Sequence, residues 1–494
     1  MYSVKLIVNL KIMLINSIFI ILLISILGIL ITNKKEIQIL RYISLFSTSI
    51  VMILSSILLF AFDSNLNDFQ CLSVFELDSN ILNFSYSFGL DGISIYFFFL
   101  TSLLIFLCVL FVWDEENLKQ YFAILLLIEF FLLVIFSVLD LLLFYVFFEA
   151  ILIPMYLLIG VYGSRERKVR AGYLFFFYTL CGSLLFLIGV LYIYNRTGTS
   201  NLQQLFCWSF TKPEQLFLWF TFFLSFASKI PMFPFHIWLP EAHVEAPTVG
   251  SVLLAGILLK LGVYGFVRFS LTMFPYASMY YSPLIYLLSI IGVVYASLSA
   301  LRQTDMKRII AYSSIAHMNL VTLGIFAFNN LGLEGAIIQS ISHGFVSGGM
   351  FFLIGILYSR YHSRFLYYYG GLVHVMPIYA VIFLIFTMAN IALPGTSSFT
   401  GEFMLLGGIY KTNIVTAIIS ATGVILSGAY SLWLYNRIIF GNIKEHYTLK
   451  FVDMSYREFL IMFPLIFFVF LVGIYPSIFL SYLHSSIANL NLFI

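Results

Sequence analysis

The sequence predicts an all-α polytopic membrane protein, and three observations support this prediction. Apolar residues make up 62% of the 494 residues and charged residues only 10%, whereas soluble proteins contain roughly 45–50% apolar and about 25% charged residues. The apolar residues form long runs, and most lysines and arginines lie between those runs. A water-soluble fold of this composition has too few polar residues to cover its surface, so lipid is the expected solvent.

The long apolar runs predict about fourteen transmembrane helices. Each bilayer crossing requires about 20 mostly apolar residues, and these continuous runs lack the alternation that marks barrel strands. The predicted spans cover roughly residues 12–32, 39–62, 92–113, 118–138, 140–162, 171–196, 215–239, 247–270, 281–301, 305–328, 333–358, 373–411, 413–438 and 457–483. The polar segment 63–91 is predicted to be a loop, and no cleavable presequence is evident before the first span.

The placement of lysine and arginine supports this number of spans. We number each connection by the span that it follows. Odd-numbered connections contain sixteen lysines and arginines, and even-numbered connections contain four. Positive residues concentrate in the loops on one side of a membrane, and an error of one span would scramble the asymmetry. Both termini are therefore predicted on the side opposite the basic loops. The net charge of only +3 does not indicate nucleic acid as a partner.

A few charged residues lie within the predicted spans. They are the lysines Lys229 and Lys260, the glutamates Glu129, Glu149 and Glu402, and Asp140 at a span start. A charge at mid-bilayer costs at least roughly 2.5–3.5 kcal/mol, and such residues usually mark ion pathways. We therefore predict that these buried charges carry protons. The alternative is structural, with Glu149 and Lys229 as an ion pair between helices and Glu129 as an interhelical tie.

Two spans are interrupted beside a charged residue. In the seventh, Lys229 directly precedes IPMFP at 230–234, and in the twelfth, PGTSS at 394–398 precedes Glu402. Proline removes a helix hydrogen bond and clashes with the preceding turn. Free backbone at membrane depth is tolerated only where it is buried in protein or lines a wet cavity. Paired broken helices point to a transport site, and the alternative is a packing kink.

Two of the histidines are candidates for a proton relay. His317 and His343 lie within the tenth and eleventh spans, between the charged sites in chain order and near serines. The alternative is that both are hydrogen-bonded core residues. His236 and His243 are assigned to a span end and a loop, and no chemistry is predicted for them.

Cofactor motifs are not found in the sequence. There is no P-loop, no G-x-G-x-x-G and no H-E-x-x-H arrangement. The four cysteines, Cys71, Cys108, Cys181 and Cys207, lack metal-ligand spacing. We therefore predict no cofactor-binding and no metal site in this chain.

Five segments together resemble one family. They are SKIPMFPFHIWLPEAHVEAP at 228–247 with Lys260 beyond it, FFEAILIPM at 147–155, KRIIAYSSIAHMN at 307–319, LPGTSSFTGEF at 393–403 and YSLWLYNR at 430–437. Together they resemble the chain 4 family of NADH:ubiquinone oxidoreductase, respiratory complex I, in its mitochondrial form. The resemblance extends over about residues 88–480.

The resemblance implies an antiporter-like subunit of the membrane arm with two inverted five-helix repeats, at 118–270 and 281–440. Residues 1–91 would hold two spans and a loop, 92–138 the third and fourth spans, and 441–494 the C-terminal span. The resemblance also implies a proton path. In that path, Glu149 pairs with Lys229, Lys260 connects, His317 and His343 relay, and Glu402 lies at the exit.

The resemblance further implies the surroundings of the chain. Its partners would be other membrane-arm subunits of complex I and the lipid bilayer of the mitochondrial inner membrane. NADH, FMN, iron–sulfur clusters and ubiquinone are expected on partner subunits. Two alternatives stay open at this point, a self-contained cation/proton antiporter subunit and a purely structural membrane subunit.

Overall fold

The structure, a computed structural model, describes residues 2–79, 82–113, 117–444 and 452–491, and these residues are mostly helical. The transmembrane helices are numbered TM1 to TM14, with the two broken ones divided into a and b. Their bounds are TM1 Tyr2–Ile31, TM2 Ile37–Ala61, TM3 Ser94–Phe111, TM4 Leu118–Ser137, TM5 Leu141–Tyr162, TM6 Lys168–Thr197, TM7a Lys212–Lys229, TM7b Trp238–Glu245, TM8 Thr248–Met273, TM9 Pro275–Arg302, TM10 Met306–Ile325, TM11 Asn330–Tyr361, TM12a Pro377–Asn390, TM12b Ser397–Thr412, TM13 Ile414–Ile439 and TM14 Tyr456–Ile474. The prediction of an all-α polytopic membrane protein is confirmed.

Length and apolarity separate these helices into two groups. In the described part of the chain, eleven helices are long and apolar enough to cross a membrane. The other three predicted spans are TM7 and TM12, which are broken, and TM10, which carries Lys307, Arg308, His317 and Asn319. These three spans carry the candidate residues Lys229, His317 and Glu402, whereas Glu149, Lys260 and His343 lie in TM5, TM8 and TM11, which are apolar enough to cross a membrane.

The segment 63–91 is not simply a loop, as the sequence had suggested. Residues Gln70–Ser79 and Leu82–Leu90 form two antiparallel strands, β1 and β2, with Phe75 opposite Tyr86 and Val74 opposite Ser87. The second strand, LNFSYSFGL, alternates apolar and polar residues, which is the pattern of a strand with one covered face. The hairpin lies against TM1 and TM4.

The C-terminal region also differs from the predicted single span at 457–483. TM14 ends at Ile474, and a second helix runs over Pro476–Asn491. Proline fixes its own φ and favours the first turn of a helix, so Pro476 begins a new helix rather than extending the old one. The Ser486 hydroxyl of this helix accepts a hydrogen bond at 2.9 Å from the amide of Gly92, just before TM3.

Both predicted interruptions are present. TM7a ends at Lys229 and TM7b begins at Trp238, while TM12a ends at Asn390 and TM12b begins at Ser397. Each broken helix is the fourth of its predicted five-helix repeat, which is the correspondence expected of related repeats. The repeat boundaries at 118–270 and 281–440 stay a prediction.

TM8 and TM11 form the centre of the molecule. Protein surrounds both helices along their most apolar stretches, whereas TM1, TM2 and TM14 leave most of their surface open. Small residues permit this burial: a Cβ on Gly344 would lie 3.1 Å from the Gly256 carbonyl oxygen and 2.8 Å from Leu100. The two helices therefore approach closely, at positions next to His343 and four residues before Lys260.

Candidate functional site

Lys260 lies in the middle of TM8, between two π-helical turns at Leu254–Leu258 and Phe266–Ser270. Such turns are rare and occur frequently at functional sites. The side chain is fully buried, and its Nζ donates to the Ala255 carbonyl at 2.5 Å. The local backbone thus provides an oxygen for an ammonium that has no access to solvent.

The second contact of Lys260 is His343 on TM11. The Lys260 Nζ lies 2.8 Å from the His343 Nδ1. An ammonium can only donate, so Nδ1 accepts this bond whenever Lys260 is charged, and the ring proton then resides on Nε2. A buried lysine and a buried histidine are therefore placed for direct proton exchange.

His317 on TM10 continues this line of groups toward TM12b. The His317 and His343 ring centroids are 6.0 Å apart, with the rings inclined by 51°. The His317 Nδ1 lies 2.9 Å from the Glu402 Oε1, and both side chains are almost fully buried. The Gln339 Nε2 donates to the same carboxylate oxygen at 3.1 Å. The structure therefore brings Lys260, both relay histidines and Glu402 together.

A small cavity lies beyond Glu402, against TM13. Its volume is about 10 Å³, and hydroxyl side chains of Ser420, Ser427 and Tyr430 line it together with His317 and Glu402. A space of about 10–15 Å³ with polar partners is enough for one water molecule. The path from Lys260 to Glu402 thus ends beside a small cavity that is lined in part by hydroxyl groups.

Glu149 and Lys229 form a separate region at TM5 and TM7. No ion pair within 4.0 Å and no hydrogen bond joins them, and the Lys229 Nζ has no hydrogen-bond partner. The Lys229 Nζ instead lies 4.5 Å from the centre of the Phe148 ring. The two charges are still near enough to interact electrostatically. The closed pair that the resemblance implies is therefore open in this structure.

Local sequence explains the positions of both residues. Pro154 has no amide hydrogen for the Ala150 carbonyl, and TM5 is irregular at Ile151, two residues after Glu149. TM7a stops at Lys229, and the carbonyl of Ser228 accepts a hydrogen bond from the Trp238 indole at 2.9 Å. Lys229 thus stands at a helix C-terminus, where the partial negative charge favours a cation.

The two regions adjoin but are not hydrogen-bonded to each other. TM8 passes the break in TM7 so closely that a Cβ on Gly262 would lie 2.5 Å from Ile230. No hydrogen bond joins Lys229 to Lys260.

Two further acids of the predicted spans belong to neither region. Glu129, on TM4, is fully buried and its oxygens have no hydrogen-bond partner. Asp140 caps TM5 by accepting from the Leu143 amide at 2.8 Å.

Three buried cations were missed by sequence analysis, which assigned them to connections or span ends. Arg268 in TM8 pairs with Asp91 at 2.7 Å, and Lys307 in TM10 donates to the Ala246 carbonyl at 2.7 Å. Arg364 lies 3.5 Å from both Glu245 and Asp305. All three follow or precede a turn in the sequence, and hydropathy alone does not distinguish a buried span end from an exposed loop.

His243 was also assigned to a loop, and this assignment is wrong. It lies in TM7b, is fully buried, and stacks on Phe351 with ring centroids 4.7 Å apart. Neither ring nitrogen has a hydrogen-bond partner. Within the described ranges, no group of three His, Cys, Asp or Glu side chains is arranged to hold a metal ion.

Comparisons with known proteins agree with this architecture. The family described as "NADH:quinone oxidoreductase/Mrp antiporter, TM" matches residues 138–427. NADH-ubiquinone oxidoreductase chain 4 of Chondrus crispus is 51% identical to this chain over 464 residues, which are 94% of each chain. The resemblance found in the sequence is therefore confirmed over nearly the whole length.

Solved structures give the same result. A chain of respiratory complex I from Thermus thermophilus with bound NADH has a TM-score of 0.86 and 29% identity, covering 98% of this chain and 99% of that one. A chain of the Mrp complex from a Dietzia species has a TM-score of 0.85 at 20% identity, covering 98% of each, which shows a shared fold. The chain therefore belongs to the NADH:quinone oxidoreductase/Mrp antiporter family of membrane subunits.

Proposed function

We propose that this membrane-arm subunit of proton-translocating respiratory complex I moves protons along Lys260, His343, His317 and Glu402. One observation carries the proposal: four titratable side chains from four helices form a buried line. In this line Lys260 contacts His343 at 2.8 Å and His317 contacts Glu402 at 2.9 Å. Ionisable groups inside a membrane protein are expensive to bury and commonly form such relays.

The order of transfer follows from the donors and acceptors. The Lys260 ammonium gives a proton to the His343 Nδ1, and His343 releases one from Nε2. The His317 Nε2 has no hydrogen-bond partner and is free to accept it. His317 then gives a proton from Nδ1 to the Glu402 carboxylate. Glu402 releases it to a water molecule in the small cavity beside TM13, which Ser420, Ser427 and Tyr430 line in part.

Glu149 and Lys229 are proposed as the switch that supplies this line. Two unit charges about 4 Å apart at an effective dielectric near 20 attract by about 4 kcal/mol. Moving one charge against about 180 mV costs about 4 kcal/mol, at about 2.3 kcal/mol per 100 mV. Closing and opening this pair therefore changes the energy by about the amount that one pumping step requires. The open pair of this structure would be the state in which Lys229 gives up its proton toward Lys260.

The driving energy is proposed to come from partner subunits. NADH, FMN, iron–sulfur clusters and ubiquinone would bind there, because this sequence contains no nucleotide-binding or metal-ligand motif. The membrane is the mitochondrial inner membrane, as the eukaryotic chain 4 relatives indicate.

Substitution of Lys260 tests the line directly. Lys260→Met keeps the length and apolar stem of the side chain but removes its titratable group. We therefore expect the contribution of this subunit to NADH-driven acidification, measured with the assembled enzyme in liposomes, to fall at least about tenfold. Lys411→Met, which removes an exposed lysine in the last turn of TM12b, is the matched control. Normal acidification with Lys260→Met would refute the proposal, and loss of assembly would favour the structural alternative.

A self-contained antiporter remains the rival function. The likeness to the Mrp complex chain, at 20% identity, concerns the fold alone. Reconstitution of the purified chain without partner subunits distinguishes this rival function from the proposed one. Cation/proton exchange by the purified chain would support the antiporter. Absence of exchange would support a function that depends on the complex.

A further inference from the structure

A cavity of about 440 Å³ lies beside the last turns of TM8, on the side of the membrane opposite the basic loops. Its wall includes Asp68 near the first strand, Gln203 and Cys207 after TM6, and Ser486 of the C-terminal helix. Asp68, Gln203 and Cys207 are exposed. The cavity is therefore reached from the solution on this side of the membrane.

A buried ion pair stands at the inner end of this cavity. Arg268 of TM8 and Asp91, just before TM3, both line the cavity, and the Arg268 Nη2 lies 2.7 Å from the Asp91 Oδ1. The guanidinium also lies 5.0 Å from the centre of the Phe69 ring. Asp91 is fixed in turn, because its Oδ1 accepts a hydrogen bond from the Ser94 amide at 2.9 Å. Arg268 is thus held between the cavity and the interior of the helix bundle.

Tyr264 connects this ion pair to Lys260. The residues Lys260, Tyr264 and Arg268 follow one another at intervals of four along TM8, so each is the neighbour of the next on the helix surface. The Arg268 Nε donates to the Tyr264 hydroxyl at 3.3 Å. Rings of Phe136 and Phe144 pack around the tyrosine, with centroids 5.4 and 6.2 Å away. Lys260 is therefore separated from the cavity by two side chains over about 12 Å of helix.

Arg268 differs from the other polar groups of this route in what it can do with a proton. A guanidinium has only donors and does not lose its proton in proteins, so it neither accepts a proton nor passes one on. A carboxylate such as Asp91 does accept protons, but Arg268 contacts both Asp91 and Tyr264 and stands between them. Arginine side chains exclude protons and cations from membrane pores in this way.

We propose that Arg268 is a barrier against proton back-flow, which keeps protons of this cavity from reaching Lys260. The proposal rests on the proposed function, in which Lys260 carries protons toward Glu402. TM12b, which carries Glu402, ends at Thr412 in an even-numbered connection, on the same side of the membrane as the cavity. Protons released on this side would have a short way back to Lys260 if Arg268 were replaced by a group that passes protons.

Passive proton flux through the assembled complex tests the barrier. The complex is reconstituted in liposomes without NADH, a pH gradient is applied in the presence of valinomycin and potassium, and the internal pH is followed with a fluorescent dye. We expect Arg268→Gln to raise the flux at least about tenfold, because a unit charge at about 4 Å changes a transfer rate by more than about tenfold. Arg196→Gln removes an exposed arginine that pairs with Glu214 on the same side, and its flux should equal that of the wild type.

Further variants distinguish a barrier from a structural tie between TM8 and TM3. Asp91→Asn breaks the same ion pair but keeps the guanidinium, so its flux should stay at the wild-type level. Arg268→His can accept and release a proton, so it should leak, and it replaces Arg268→Gln if that variant does not assemble. Wild-type flux in an assembled Arg268→Gln or Arg268→His complex, or an equal leak with Asp91→Asn, would overturn the barrier. Loss of assembly in both Arg268 variants would assign the pair to folding and overturn it as well.

The route of the leak is tested by combining variants. Lys260→Met added to Arg268→Gln should return the passive flux to the wild-type level, and a leak that persists would overturn the proposal by placing the route elsewhere. NADH-driven acidification with Lys260→Met alone tests the proposed function separately. Lost acidification in that variant together with wild-type flux in Arg268→Gln would refute the barrier and leave the proposed function standing.

Discussion

Glu402 is held by side chains from two other helices. His317 contacts its Oε1 at 2.9 Å, and Gln339 donates to the same oxygen at 3.1 Å. Gln339 is itself fixed by packing, since a Cβ on Gly401 would lie 2.5 Å from its Oε1. Gln339 is not titratable, so we assign it a positioning role: it stabilises the carboxylate form from which Glu402 accepts a proton.

Removing this amide is expected to slow proton translocation. Gln339→Leu takes away a hydrogen bond to a charged group, worth about 1.5–3 kcal/mol, so Glu402 should hold its proton more tightly and release it about tenfold more slowly. The measurement is the initial rate of NADH-driven acidification in proteoliposomes. Gln203→Leu, at an exposed glutamine, should behave as wild type. A wild-type rate for Gln339→Leu in a fully assembled complex would exclude the positioning role.

At the scale of residues, the sequence was enough to identify most residues of the site, but it was not enough to predict which of them contact each other. Lys260, His343, His317 and Glu402 were found because polar groups are rare in apolar spans. That Lys260 touches His343 while Lys229 does not touch Glu149 depends on helix packing, which a single sequence does not determine. Gln339 was missed because an uncharged amide in a span gives no comparable signal.

TM11 and TM12b pack closely against each other, and glycines permit this close approach. A Cβ on Gly335 would lie 2.8 Å from the Leu405 backbone nitrogen, and one on Gly408 would lie 2.6 Å from the Gly332 Cα. Small residues let transmembrane helices approach closely. Because Gln339 and His343 are on TM11 and Glu402 is on TM12b, this packing sets the geometry of the exit end.

Enlarging one of these glycines should push the helices apart. Gly335→Val forces a side chain against backbone, which cannot move as a flexible side chain can, and overpacking costs typically about 1–3 kcal/mol. We expect a lower melting temperature of the assembled complex and less of it on native gels. Gly160→Val is the control, because a Cβ there has nothing within 4 Å. Equal stability of the two variants would show that this packing is dispensable.

At the scale of elements, proline was the reliable signal. The breaks in TM7 and TM12 lie where the prolines predicted them. The hairpin at Gln70–Leu90 was missed because hydropathy identifies spans by long apolar runs. A strand with alternating apolar and polar residues has no such run, so it was predicted as a loop. The helix at Pro476–Asn491 was missed because its apolar residues continue those of TM14, so one long run concealed two helices.

For the whole molecule, function depends on where the polar groups lie relative to lipid. The helices that carry Lys260 and His343 are surrounded by protein, and apolar helices such as TM1, TM2 and TM14 face outward. Charges that would be costly in lipid are thereby kept away from the lipid-facing surface. In the proposed function this interior conducts protons, and partner subunits supply the energy and the direction of transport.

The number of protons translocated per NADH oxidised tests this account most directly. His343→Gln preserves polar contacts with Lys260 but replaces a ring that can accept and donate a proton with an amide that does not change its protonation state. His374→Gln, at an exposed histidine, is the matched control. With electron transfer from NADH to ubiquinone measured in the same proteoliposomes, the account predicts a lower proton-to-NADH ratio for His343→Gln and a wild-type ratio for the control. An unchanged ratio in a fully assembled His343→Gln complex would contradict it.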